Sequence, residues 1–333
     1  MRRTIAILLP LVLLLVLNIF IGSVPLSPSA VWDALLRADG VPSVAHNIVW
    51  KSRLPQALTA MMAGAGLAVS GLQMQTVFRN PLAGPTVLGI SNGASLGVAL
   101  VVLLSGSLGG QALSRLGLAG EMATTAAAIL GALAVMTVIL ALSARVRSSV
   151  TLLIMGVMIG YVANALIGVL KFFSIEEDVR TFVVWGLGSF SRVSPQRMPP
   201  FLLFMTALLI LSLPLSKSLN VLLLGEHYAS NLGLNVRRSR TMAILSSGVL
   251  CAVVTAYCGP IAFLGLAVPH LCRGLLHTSD HRLLLPACMT AGGAIALLCN
   301  LLARMPHMEG ALPVNSVTAL IGAPVVCWVL MKK

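Results

Sequence analysis

Residues 217–240 read KSLNVLLLGEHYASNLGLNVRRSR, and this stretch decides how the rest of the chain divides. It carries Lys217, Glu226, Arg237, Arg238 and Arg240 among amides and hydroxyls, while apolar runs lie on both sides of it. A membrane-spanning helix needs about 20 mostly apolar residues, so this segment is too hydrophilic to cross a bilayer and must join two spans. Within it, Glu226 stands at a helix start and Gly233 at a stop, which predicts a helix over 226–232 of about two turns, roughly 10 Å long. The arginines follow directly, just ahead of the next apolar run. In a chain whose loops are mostly short, a short helix behind a basic cluster suits docking to another protein better than it suits a plain connector.

Outward from that segment, the composition settles the class. The 333 residues are 58% hydrophobic and 9% charged, with a mean hydropathy of +0.98. We read an all-α polytopic membrane protein, one transmembrane domain over 1–333, with about ten spans centred at about residues 13, 65, 97, 132, 160, 207, 248, 267, 292 and 322. The eighth, over 261–275, is short and contains Pro269 and His270; a broken segment of this kind survives at membrane depth only against protein or a cavity, so it is expected in the interior. Arg2 and Arg3 before an apolar run loosely resemble a cleaved signal. The run from Ile5 to Ile21 is longer than the usual 7–15 residues of a signal core, and a retained first helix is expected.

Orientation follows from basic residues. With the N-terminus inside, Arg2, Arg3, Arg79, Arg145, Arg147, Lys217, Arg237, Arg238, Arg240, Arg273, Arg282, Lys332 and Lys333 fall on the cytoplasmic side and outnumber the outer set, so both termini are predicted to be cytoplasmic. The net charge of +13 is spread over many loops and forms no single face for nucleic acid. The six cysteines lie within or beside predicted helices without a Cys-x-x-Cys pair and read as small buried apolar groups. All nine acids fall in predicted loops or at span ends, which argues against a proton-driven carrier. A sodium-coupled or facilitative carrier stays open on that ground. No phosphate-binding loop is present, so if ATP supplies the energy another subunit binds it. Neither a nucleophile motif nor a buried carboxylate pair points to an intramembrane enzyme, and His270 beside Pro269 reads as a packing or hinge residue.

The loop after the second span runs Gln73-Met74-Gln75, Arg79-Asn80-Pro81-Leu82-Ala83-Gly84-Pro85 and Leu88-Gly89-Ile90-Ser91-Asn92-Gly93-Ala94. Pro81 and Pro85 break a helix; Gly89 and Gly93, four apart, permit close packing of the next. Further strings are Leu224-Gly225-Glu226 with Ala229 and Leu232-Gly233; Gly259-Pro260-Ile261-Ala262-Phe263-Leu264-Gly265-Leu266 with Pro269, His270 and Arg273; Asp280-His281-Arg282; and Leu312-Pro313-Val314 with Gly322-Ala323-Pro324. In this order they resemble the permease subunits of ABC importers for iron-siderophores, haem and vitamin B12.

The resemblance implies about ten helices, a dimer of permeases with the path between them, two cytoplasmic ATPases and an extracytoplasmic binding protein, in a bacterial cytoplasmic (inner) membrane. Leu224, Gly225, Glu226, Ala229, Leu232 and Gly233 would form the ATPase-coupling segment, in short helices between the sixth and seventh spans. Ser148 and Ser149 match a cytoplasmic gate. Arg53 and Arg304 match binding-protein docking residues, with Lys51 nearby; the second entrance arginine of relatives is Gln56 here, and Asn300 replaces an acid common among them. No cofactor or protein-bound metal is expected, because the metal arrives inside its chelator. An iron chelate or haem is the expected cargo because iron systems make up the larger part of this family, with cobalamin the alternative.

Overall fold

The computed structural model describes residues 2–36, 43–107, 118–146, 148–305 and 311–331, and among them it is helical with no strand. Of the cytoplasmic basic set, Arg147, Lys332 and Lys333 lie outside the described residues, as do Arg37 and Arg115 of the outer set and the acids Asp39 and Glu309. Six segments are long and apolar enough to cross a membrane: Val44–Val77, Ala119–Arg145, Ser149–Phe173, Met198–Leu223, Val236–Cys258 and His281–Ala303. Four shorter apolar helices, Leu8–Phe20, Ile90–Leu104, Leu264–Leu276 and Val314–Cys327, fall where the sequence places its remaining spans.

In chain order the helices are α1 (Arg2–Phe20), α2 (Pro28–Leu36), α3 (Ser43–Ile48), α4 (Leu54–Val77), α5 (Ile90–Ser107), α6 (Leu118–Arg145), α7 (Ser149–Phe173), α8 (Glu176–Gly186), α9 (Met198–Ser212), α10 (Ser216–Leu223), α11 (Glu226–Asn231), α12 (Val236–Cys258), α13 (Leu264–Leu276), α14 (His281–Ala303) and α15 (Val314–Met331). The segment ending in α4 is 83% buried, against 28% for α6 and α7 and 22% for the segment that begins with α9, so α4 is central and the others present apolar sides outward. Small residues make the central position possible. Gly64 of α4 faces Gly292 of α14, and Gly71 faces Gly265 of α13, where a β-carbon would collide with the opposing backbone. Lipid tails are as apolar as leucine, so this close approach, more than hydrophobicity, supplies the packing.

The two glycines expected to permit close packing of the next helix both do so, against different neighbours. Gly93 meets Gly131 of α6, while Gly89 lies one residue ahead of α5, takes φ +76° and faces Gly156 and Gly160 of α7. Helix α13 has 13 residues, about 20 Å, less than a hydrocarbon core of about 30 Å. It packs on α4, α14 and α15, an interior position consistent with its Pro269. The irregular backbone before it is satisfied within the protein, as membrane depth requires. Ser189 N–H donates to Cys258 O (2.7 Å), Ala262 N–H to Asn315 Oδ1 (3.0 Å) and Ala267 N–H to Phe263 O (2.8 Å).

Candidate functional site

The polar segment folds as two short helices, α10 and α11, meeting at Gly225, whose φ of +101° only glycine takes cheaply. Helix α11 starts at Glu226 as expected and stops at Asn231, with Leu232 as its cap. Its stop is a Schellman arrangement: Gly233, at φ +83°, donates its N–H to Ser230 O (2.9 Å), and Leu234 donates to Ala229 O (3.0 Å). Ala229 is fully buried and faces the protein body. Leu224, Tyr228 and Leu232, four residues apart, are 57%, 69% and 65% exposed. Within α11 that spacing puts Tyr228 and Leu232 on one side, while Leu224 precedes the non-helical Gly225; the three follow one another along the segment as an exposed apolar row between two candidate spans, outside both. Sequence reasoning does not single out Tyr228, although its four-residue interval to Leu232 is visible in the string.

The same segment is tied to the turn between α6 and α7. Glu226 Oε1 accepts from Ser149 Oγ (3.3 Å) and lies 3.8 Å from Arg240 Nη1. Ser148, the neighbouring expected gate residue, caps α7 by accepting the N–H of Thr151 (3.2 Å). Arg240 corrects its reading as a topology charge, because it is buried while Arg237 and Arg238 are exposed. Its guanidinium donates to Ser143 Oγ (3.1 Å), Ser143 O (2.7 Å) and Val146 O (2.6 Å), occupying carbonyls that the end of α6 leaves open.

A second tie runs from α10 to α14 and α4. Asn220 Nδ2 donates to Asp280 Oδ1 (2.6 Å), and Asn220 Oδ1 accepts from His281 N–H (2.7 Å). The same oxygen accepts from His281 Nδ1 (2.8 Å), while Nε2 lies 2.7 Å from Thr76 Oγ1 near the end of α4. Asp280 caps α14, and its bonds from the Arg282 N–H and Asn220 hold its carboxyl below the ordinary value. The neighbouring motif residues make hydrogen bonds within the chain. Asn80 Oδ1 accepts the Leu82 N–H (2.9 Å), His270 Nε2 donates to Pro81 O (2.9 Å), and Arg273 donates to Gln75 Oε1 (2.6 Å). Gly259, at φ +80°, packs with Pro260 beside Gly188 and Trp185 O.

The expected docking charges are arranged otherwise. Arg53 is 2% exposed and caps α1 by donating to Ile19 O, Phe20 O and Val24 O at 2.6–2.9 Å. Arg304 is also buried, bonding to Gln56 Oε1 (2.7 Å) and Asn18 Oδ1 (3.2 Å), and burial pushes its pKa down to about 10. Lys51 alone of the three is exposed. Gln56 donates to Asn300 Oδ1 (3.1 Å), Asn300 donates to Asn18 Oδ1 (2.8 Å), and Asn18 reaches Leu297 O (2.9 Å). This amide chain lies at the end of α4 and α14 opposite the α10–α11 segment, and nothing in the local sequence around Asn18 announced it.

Known proteins share this chain's sequence pattern and helical fold. A model of the FecCD transport family matches residues 10–332. The chain is 39% identical over 285 residues to the vitamin B12 import system permease protein BtuC of Klebsiella pneumoniae subsp. pneumoniae, covering 85% of this chain and 82% of that one. It is 39% identical over 288 residues to the BtuC protein of Citrobacter koseri, covering 85% and 83%. Among solved structures, an inward-facing metal-chelate type ABC transporter matches with a TM-score of 0.84 at 29% identity, over 99% of this chain and 98% of that one. A match over nearly its whole length, with the helical frame to go with it, makes this chain a member of the FecCD transport family, a permease of an ABC importer.

Proposed function

We propose that the row Leu224, Tyr228 and Leu232 seats in a cleft of a separate cytoplasmic ATPase, and that this permease moves a metal chelate inward when ATP closes that partner. The observation that carries the reading is the exposed apolar row on a segment outside the spans, in a chain without a phosphate-binding loop. Large apolar side chains left exposed together on a segment outside the spans are accounted for by a protein that covers them. Glu226, Ala229 and the two positive-φ glycines, Gly225 and Gly233, shape and hold that row, while Ser148 and Ser149 form the gate turn beside it.

The four shorter apolar helices complete ten spans, with both termini on the cytoplasmic side of the bacterial inner membrane. Two copies enclose the path, and two ATPases serve them. An extracytoplasmic binding protein docks at the opposite end, where Lys51 is the available charge and the buried Arg53 and Arg304 brace the helices beneath it. Rim charges of this kind steer encounter more than they set affinity. The named relatives favour cobalamin as cargo, and an iron chelate is the second reading, compatible with the metal-chelate type of the matching structure.

The test is reconstitution in vesicles with its cognate ATPase and binding protein, supplied with cobalamin or a ferric siderophore. ATP-dependent uptake of one of them is expected. Uptake that continues without ATP or the ATPase would support a facilitative or sodium-coupled carrier and overturn the proposal.

A further inference from the structure

Arg240 belongs to no string that carries the family resemblance, yet four parts of the chain meet on or beside its guanidinium. Its Nε and Nη2 hold Ser143 and Val146 at the end of α6, and Nη1 faces Glu226, the first residue of α11. Glu226 in turn receives Ser149, the first residue of α7, on the same Oε1 atom that faces Arg240. We infer that Arg240 is a positioning residue that latches the coupling helix to the α6–α7 turn, with Glu226 as its releasable side. This rests on the coupling reading above.

The two sides of the guanidinium differ in strength. The bonds to Ser143 and Val146 span 2.6–3.1 Å, and the Arg240 side chain is 7% exposed. A cation there also complements the carbonyl end of α6. The Glu226 contact is 3.8 Å long, and its side chain is 43% exposed; an ion pair so hydrated is weak. Arg240 therefore stays with α6 when α11 is displaced, and Glu226 leaves. Because a single oxygen serves both Ser149 and Arg240, one small movement of α11 frees both. The start of α7 then keeps its local cap, the Thr151 N–H donating to Ser148 Oγ, while this bond to the coupling helix is gone.

The experiment uses the assembled permease–ATPase complex in vesicles, with Ser149→Ala, Arg240→Lys and the double variant. Lysine keeps the charge but not the fork that reaches Ser143, Val146 and Glu226 together. Alanine at 240 is avoided because it strips the partner from the buried Ser143 carbonyl and the half-buried Val146 carbonyl. Both single variants are expected to retain the ATPase on purification and to lose transport per ATP hydrolysed by about threefold to tenfold, the range of one hydrogen bond. The double variant is expected to be no worse than the poorer single variant, because both act through Glu226. Wild-type transport per ATP in Ser149→Ala, or a double loss equal to the product of the singles, overturns the latch. Should Arg240→Lys fail to assemble, Ser149→Ala decides alone. Failure of the unsubstituted permease to hold the ATPase would instead remove the coupling reading and the latch with it.

Discussion

Gly233→Val tests the coupling helix through its stop. Gly233 takes φ +83°, and a β-carbon built there meets no atom within 4 Å. The substitution therefore costs conformation and not space. A left-handed backbone costs an L-residue about 1–2 kcal/mol, more when the side chain is β-branched. Helix α11 has only six residues, far below the length at which a helix holds itself together, so the two Schellman bonds at 2.9 and 3.0 Å are a large share of what fixes Leu232 beside Tyr228. Losing 1–2 kcal/mol lowers the population of the docking shape by a factor of about 5–30. The assay is ATP-driven uptake in vesicles together with ATP hydrolysis, comparing Val with Asn at this position. Asparagine visits the left-handed region routinely and should keep most of the coupling, while valine should hydrolyse ATP with uptake reduced in proportion. Equal damage from Asn and Val would mean that the ATPase packs against the position itself, and normal uptake in Gly233→Val would remove the stop from the mechanism.

Tyr228→Glu places a charge in the middle of the apolar row and should reduce ATPase co-purification by at least about tenfold, the scale of an interface hot spot, with the melting temperature of the isolated permease unchanged. Gln56→Arg adds a third guanidinium beside Arg304 and Arg53 and should lower thermal stability in detergent, whereas Gln56→Arg with Asn300→Asp should recover it. Asp280, held below its ordinary pKa of 3.8 by the Arg282 N–H and Asn220, adds stability that is present above that value and lost as pH falls through the lower folded value. Asp280→Asn should therefore flatten the acid limb of a stability–pH curve below pH about 4; an unchanged limb would assign it to other groups.

Composition and periodicity suffice for what is local. The six long spans, the Glu226 start, the Gly233 stop and the interior position of the Pro269 helix each follow from residues within a few turns of one another. The rest depends on partners far apart in sequence. Arg240 stands in a run with Arg237 and Arg238, and as a string the three look alike. Only the return of α6 to this level separates a buried strut from two exposed charges. His281 likewise looks like a loop residue until α10 and α4 close around it through Asn220 and Thr76. In a membrane protein buried polar residues are few, so their partners matter, and pairing across 61 or 205 positions leaves no periodic trace.

Gln56 and Asn300, read one at a time, are two losses: a docking arginine gone and an acid gone. In the folded chain they are 244 positions apart and 3.1 Å from each other. An arginine at 56 with asparagine at 300 would bury a cation next to Arg304 without a counter-charge, and an acid at 300 facing Gln56 would bury an anion with amides for company. Either alone is the costly case, an ion whose partner has been removed. Two amides avoid it, because each can donate and accept without bringing charge out of water, and Asn300 goes on to donate to Asn18. In this chain the two amides therefore form one neutral pair. Its consequence for docking is small, since Gln56 faces Arg304 and Asn300 inside the helix bundle, and Arg53 one turn away is itself turned inward onto the end of α1. Asn300→Asp is expected to rescue Gln56→Arg without any change in the affinity for the binding protein; a change in that affinity would put position 56 back on the rim.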